Sequence, residues 1–171
     1  MAAKKYISIN AGVLTEVQAT DSSAGAGDAG EIVALDAAGR LSTTMMPVGV
    51  GVENDLIISS ENLAAGDLVN IWTNTGVANV RKADATTAGK EANGFVLASV
   101  TSPAAATVYR NSQSNTQKSG LTPGAIYYLD TTAGGITTTV PSASGNIVQH
   151  VGKAFDATTL IFEAQLPITL A

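Results

Sequence analysis

Short apolar runs separated by turn residues recur through most of the chain, and this rhythm constrains the fold more than any other feature. From Val48 onward the runs are Gly49 to Val52, Asp55 to Ser59, Asp67 to Trp72, Gly76 to Arg81, Gly94 to Val100, Thr107 to Arg110, Ala125 to Asp130, Gly135 to Val140, Asn146 to Phe155 and Thr159 to Pro167. Strands this short, each bounded by turn signals, predict an all-β fold, a small β-barrel or sandwich. The only helix candidate is the Ala-rich stretch Ala83–Ala92, which Thr86, Thr87 and Gly89 weaken.

The composition agrees with that fold. Among 171 residues there are 28 Ala, 20 Thr and 17 Gly, while aromatics make up only 5% and charged residues only 13%. Small side chains suit thin sheets and close backbone contacts better than a large helical core, and they make an enzyme an unusual expectation. With Lys+Arg 9 against Asp+Glu 14 the net charge is -5. No basic field is present to neutralise phosphates or anionic lipid, so nucleic acid and membrane are poor partners. No run approaches the length of a membrane span, and Met1 to Tyr6 leads into no apolar h-region, so synthesis in the cytoplasm is expected. The absence of cysteine excludes disulfides, thiolate catalysis and Cys-type zinc.

The N-terminal part reads differently. Lys4 to Val17 alternates around Tyr6, Ile7, Ser8, Ile9 and Asn10 before breaking at Gly12, which predicts a strand, a turn and a second strand. Residues 19–30 hold Ala, Ser, Asp and Gly with no large side chain to bury, and predict a flexible or extended linker. Glu31 to Asp36 predicts a further strand, Asp36 to Gly39 a turn, and Arg40 to Pro47 a short segment stopped by proline. The expected organisation is an extended N-terminal β arm or small module over residues 1–50 and a barrel-like body over 51–171.

The body also echoes itself. Leu63-x-x-Gly66-x-Leu68-Val69-x-Ile71 repeats, 58 residues later, as Leu121-x-x-Gly124-x-Ile126-Tyr127-x-Leu129. Further apolar strands follow, around Phe95-Val96 and around Ile147 to Val151. Two readings account for this: convergent hairpin grammar, or a duplicated β-unit.

Chemistry-bearing patterns are sparse. Gly25-Ala-Gly27-Asp-Ala-Gly30 satisfies G-x-G-x-x-G, but it follows Thr20-Asp-Ser-Ser rather than a strand and opens Glu31-Ile-Val-Ala-Leu, so it reads as linker. His150 is the sole histidine and reads as structural. No Gly-x-Ser-x-Gly elbow accompanies the serines and aspartates. The carboxylate pairs Glu53 with Asp55 and Asp28 with Glu31 lie in Gly- or Ser-rich segments and read as solvated turn charges, and no stretch has EF-hand spacing. Trp72, Tyr127 and Tyr128 fall in or beside the echoed strands, where core or interface packing is a better account than a sugar-binding platform. The expectation is a protein without catalytic residues, cofactor or metal.

At Ile32-Val-Ala-Leu-Asp-Ala-Ala-Gly-Arg-Leu-Ser-Thr-Thr-Met-Met-Pro47 the sequence resembles a segment of tailed-bacteriophage structural proteins, which carries a Leu-Asp-x-x-Gly-(Lys/Arg)-Leu turn and ends in an apolar stretch with Pro. The body resembles small capsid decoration proteins, also called cement or head-fibre proteins, at Gly66-Asp-Leu-Val-Asn-Ile, Ala92-Asn-Gly-Phe-Val-Leu-Ala and Leu121-Thr-Pro-Gly-Ala-Ile-Tyr-Tyr-Leu. That resemblance implies a β-rich homotrimer on the outer surface of a phage capsid, clamping neighbouring major capsid protein subunits, with no catalytic residues. The segments assigned to capsid binding are Lys4–Val17 and Ile32–Pro47, with Lys4, Lys5, Tyr6, Ile7, Ile9, Leu35, Arg40, Leu41, Met45 and Met46 as the contact residues. Related turns in tail fibres supply an alternative, a receptor-binding subunit that presents Trp72, Tyr127 or Tyr128 to the host surface. A cell-wall hydrolase using Glu53 as its acid is a third.

Overall fold

The computed structural model describes residues 4–37, 39–46 and 53–171. The chain divides into two compact units, Met1–Gly51 and Val52–Ala171. The expected strand over Gly49 to Val52 and the stop at Pro47 lie outside the described residues.

In the first unit, β1 (Lys5–Asn10) and β2 (Val13–Gln18) form an antiparallel hairpin in which Ile9 faces Leu14 and Ile7 faces Glu16. Ala11 and Gly12 between them both have positive φ, 49° and 82°. This is the two-residue turn whose twist matches that of its strands, and it favours Asn rather than Ala at the first position. Ala11→Asn is therefore expected to stabilise the hairpin by about 0.5–1 kcal/mol, read as slower hydrogen exchange at the cross-strand amides of β1 and β2. The segment 19–30, expected as linker, contains a short 3-10 turn over Ala26–Asp28 and is hydrogen-bonded at its start, where Ala19 N–H donates to Lys4 O at 2.9 Å. Glu31 to Asp36, expected as a strand, is reduced to one parallel bridge between Val33 and Thr20.

The second unit holds two β-sheets built to one plan. The strands β3 (Asn54–Ser59), β4 (Leu68–Asn74), β5 (Val77–Lys82), β6 (Gly94–Phe95) and β7 (Ala105–Tyr109) close into a five-stranded barrel in the order β3-β5-β4-β6-β7. The strands β8 (Gln113–Asn115), β9 (Ile126–Leu129), β10 (Ile136–Thr137), β12 (His150–Ala154) and β13 (Leu160–Phe162) form a five-stranded sheet in the order β10-β9-β12-β13-β8. A minor pair joins β11 (Ile147–Val148) to β14 (Ile168–Thr169). Read from β5, the barrel runs β5-β4-β6-β7-β3, so each of its strands has a counterpart at the same place in the sheet.

The correspondence extends to register. Val69 pairs Gly94 and Leu68 pairs Phe95; 58 residues on, Tyr127 pairs Gly152 and Ile126 pairs Lys153. Gly66 N–H donates to Val96 O at 2.8 Å, and Gly124 N–H donates to Ala154 O at 2.8 Å. Both glycines occupy the left-handed region of equivalent turns, with φ of 88° and 80°. Hairpin grammar alone does not reproduce strand order, register and inter-strand bonds together, so residues 54–109 and 113–162 are two structural repeats.

The repeats differ at one seam. The barrel is closed by the parallel pairing of β3 with β5, whereas β8 and β10 do not pair with each other. Near this gap the first repeat bonds to the second. Asn115 Nδ2 donates to Gly66 O at 3.0 Å, and Leu68 N–H donates to Gly134 O at 3.0 Å. The main core follows from this arrangement: Leu68 and Phe95 of the first repeat pack with Leu129, Val151, Leu160 and Phe162 of the second, and the rings of Phe95 and Phe162 meet edge to face at 5.5 Å. A smaller core of Leu63, Val69, Val80, Val96, Ala106 and Val108 fills the barrel.

Ala83–Ala92 forms no helix. Its backbone is taken by strand partners: Ala83 N–H donates to Leu68 O, and Ala85 N–H donates to Asp130 O at 2.8 Å. Gln149, a buried polar side chain, donates from Nε2 to Ala92 O and accepts at Oε1 from Ala92 N–H. These long-range bonds outweigh the modest helix preference of alanine.

Candidate partner-binding surface

Among the described residues, the charged side chains Glu61, Arg81, Lys82, Asp84 and Lys90 line one open groove. No three of His, Asp and Glu among the described residues are placed to hold a metal ion. Of the four carboxylates singled out by sequence, three are engaged in structural bonds. Asp55 pairs with Arg110 at 2.6 Å, Asp28 accepts from Ala24 N–H at 2.6 Å, and Glu31 accepts from Tyr6 OH at 3.2 Å. Glu53 and Glu91 line an open groove of about 630 Å³ with Arg110 and Gln149. No aromatic side chain lines that groove, and Glu91 is occupied by Gly89 N–H at 2.8 Å.

The carboxyls of Asp84 and Asp156 are both shifted downward. Burial alone would raise Asp84, but hydrogen bonds from Thr86 and Lys90, with the Lys90 charge, hold it below its ordinary value. Asp156 is lowered by bonds from Thr158, N–H and hydroxyl, and from Thr159. A general acid at neutral pH needs the opposite shift. The Lys118 ammonium is shifted downward, because burial disfavours its charge while Asp67 partly restores it. It donates to Gly134 O at 3.4 Å, a bond within the second repeat.

His150 is half-buried, its Nδ1 3.2 Å from Glu163 O and its ring edge to face with Tyr128. Tyr127 is buried and its hydroxyl accepts from Thr122 N–H at 3.0 Å, so it cannot be the exposed platform of the receptor-binding reading. Trp72 is half-buried, with the Arg81 guanidinium 4.8 Å from its ring centroid and its Nε1 donating to Ser60. The glycine motif opens a 3-10 turn of only 3 residues, which lacks the aligned amides of an anion site.

What the first unit offers instead is exposed apolar surface. On the hairpin, Ile7, Ile9 and Leu14 share one face with the Lys5–Glu16 ion pair, and Ile9 and Leu14 are 72% and 71% exposed. A hairpin of two strands buries little by itself, so these apolar side chains stay open to solvent. Lys4 is exposed, and Tyr6 is half-buried on the opposite face against Val17.

The remaining expected contact residues flank a turn. Asp36 N–H donates to Arg40 O at 2.8 Å, Gly39 N–H donates to Asp36 O at 3.0 Å, and Arg40 N–H donates to Asp36 Oδ1 at 2.8 Å. The aspartate thus caps the turn its sequence motif requires, with Gly39 at φ 74°. Leu35, Arg40, Leu41 and Met46 are exposed there, and Met45, in the 3-10 turn Thr43–Met45, is half-buried. Leu14, Val13, Ile32 and Val33 are equally exposed and were not among the residues expected from sequence. The turn at Ala11-Gly12 was the available signal for Leu14, since a two-residue loop there sets Leu14 opposite Ile9.

Comparison with known proteins found no matching family model, no matching curated protein and no matching solved structure. No helix among the described residues is long and apolar enough to cross a membrane. What the molecule has at the level of fold is a nearly all-β chain with a small closed barrel in its second unit.

Proposed function

We propose that this protein is a capsid decoration protein of a tailed bacteriophage, a homotrimer that binds the outside of the head through its first unit and braces adjacent major capsid protein subunits. The observation that supports the reading is the open apolar hairpin face of Ile7, Ile9 and Leu14, with further exposed side chains at Leu35 and Leu41 in the same unit. A cement protein needs only such contacts and multiplicity. Three weak arms on one trimer raise avidity through effective concentration, without strong individual contacts. The free edges of a hairpin also suit strand addition to a capsid sheet.

The test is co-sedimentation with undecorated phage heads and, in parallel, with host cells. Saturable head binding that raises the heat resistance of the heads is the expected result. Removing residues 1–47, or placing aspartate at both Ile9 and Leu14 in the full chain, is expected to weaken that binding by about a hundredfold or more, the loss of two buried anchors. Full retention of binding by both variants would remove the first unit from the contact. Binding to cells alone would move the protein to the tail.

A further inference from the structure

The two repeats place equivalent residues on equivalent outer faces, yet only one of those faces is covered. In the first repeat, Leu68 and Phe95 form the outward pair between β4 and β6, and both are 0% exposed because the second repeat packs over them. Leu97 beside them and Tyr109 on β7 are partly buried in the same contact. In the second repeat the outward pair is Ile126 with Lys153, and Ile161 on β13 stands next to Lys153 in register. Ile126 is 49% exposed, and Phe155, at the place of Leu97, is 71% exposed. One face is therefore a buried core wall and its counterpart is open.

We infer that the open face is where a second copy of this chain docks. Elements that stack by repetition leave an uncovered terminal face, which is capped or used for assembly. Here Ile126 and Phe155 leave apolar surface open beside Lys153. A further copy of the first repeat cannot supply the opening that receives this face, because its barrel is already closed by β3 and β5. The matching surface is the same face of another chain. Its charges fit that occupant: Lys153 and Glu163 both point outward from neighbouring strands, and neither makes an ion pair among the described residues. In a closed symmetric assembly every copy presents the same two groups, so Lys153 of one chain can meet Glu163 of the next while the Ile126 and Phe155 side chains pack at the axis.

This names the surface for the self-association included in the reading above and rests on that reading to that extent. The experiment is sedimentation equilibrium on the full chain, wild type against Ile126→Asp with Phe155→Asp, with head binding measured on the same samples. Both side chains are exposed, so the variant is expected to keep its fold, checked by circular dichroism and melting. A multimeric wild type and a variant whose association is at least a hundredfold weaker is the expected result. A charge series adds an independent reading: Lys153→Glu is expected to weaken association, and Glu163→Lys in the same chain to restore it. A monomeric wild type at about 100 µM, or a variant with unchanged mass, overturns the inference. A monomer that still binds heads overturns the inference and leaves the decoration reading standing. A multimer that the substitutions dissociate, but that binds no heads, sustains the inference and overturns the decoration reading.

Discussion

Gly152→Ala is expected to unfold the second repeat. At Gly152 on β12, an added Cβ would lie 2.1 Å from the carbonyl oxygen of Ile161 and 3.1 Å from its carbon, and φ there is +150°. The obstacle is backbone of the neighbouring strand, in the register that pairs Gly152 with Phe162 and Lys153 with Ile161. It cannot retreat without breaking that ladder, so no rotamer change relieves the overlap. The expected loss is about 4 kcal/mol or more, a value reserved for strain and overpacking at a position with no room. Gly120→Ala is the control. It also has positive φ, +68°, but nothing lies within 4 Å, so its expected cost is only about 1 kcal/mol. Urea denaturation of both variants measures the difference, and similar midpoints would mean that β12 and β13 are not so closely placed. The pseudo-equivalent Gly94, where a Cβ would meet Tyr109 O at 2.5 Å, is expected to behave like Gly152 rather than Gly120.

Phe95→Ala is expected to cost about 3–5 kcal/mol, the range for removing a buried ring whose site cannot collapse. Its distinguishing consequence is on cooperativity. Phe95 belongs to a first-repeat strand but packs in the second repeat's core, 5.5 Å from both the Tyr109 and the Phe162 ring centroids. Truncation is expected to loosen the contact between repeats as well as lower the melting temperature, and a transition that splits by probe would report it. Val108→Ala, confined to the barrel's own small core, is expected to lower stability without splitting the transition. A single sharp transition in the Phe95 variant at the wild-type midpoint would show that the repeats do not share a core.

Much of the fold was legible because the strands carry their own signals. The hairpin at Lys4–Val17 and most body strands follow from alternation and bounding turns, and the structure places β1 to β5, β7, β9 and β13 near their expected positions. Two failures have clear causes. The strand β8 is Gln-Ser-Asn, with no apolar residue to mark it, and it exists because its backbone pairs β13 and its Asn115 side chain bonds across to Gly66. Glu31 to Asp36 has strand-like residues but finds only one bridge partner, at Thr20. Among the expected contact residues, exposure of Ile7 and Ile9 was readable from alternation in a short hairpin. Leu14 required the register.

The echo shows most directly where the sequence stops and tertiary structure begins. Local chemistry determined the two Leu-x-x-Gly turns, the strands that follow them and the small glycines where strands approach closely, because each depends on residues within a few positions or on the absence of a side chain. It also determined an all-β chain without thiol chemistry and with little charge. Whether the repeats close alike was not a local matter: β3 meets β5 in one and β8 stays apart from β10 in the other, and the first repeat bonds and packs into the second. That single long-range difference buries Leu68 and leaves Ile126 in the open, although both follow the same turn in the same register. Burial depends on what another part of the chain does with its own apolar face, and no window of sequence contains that information.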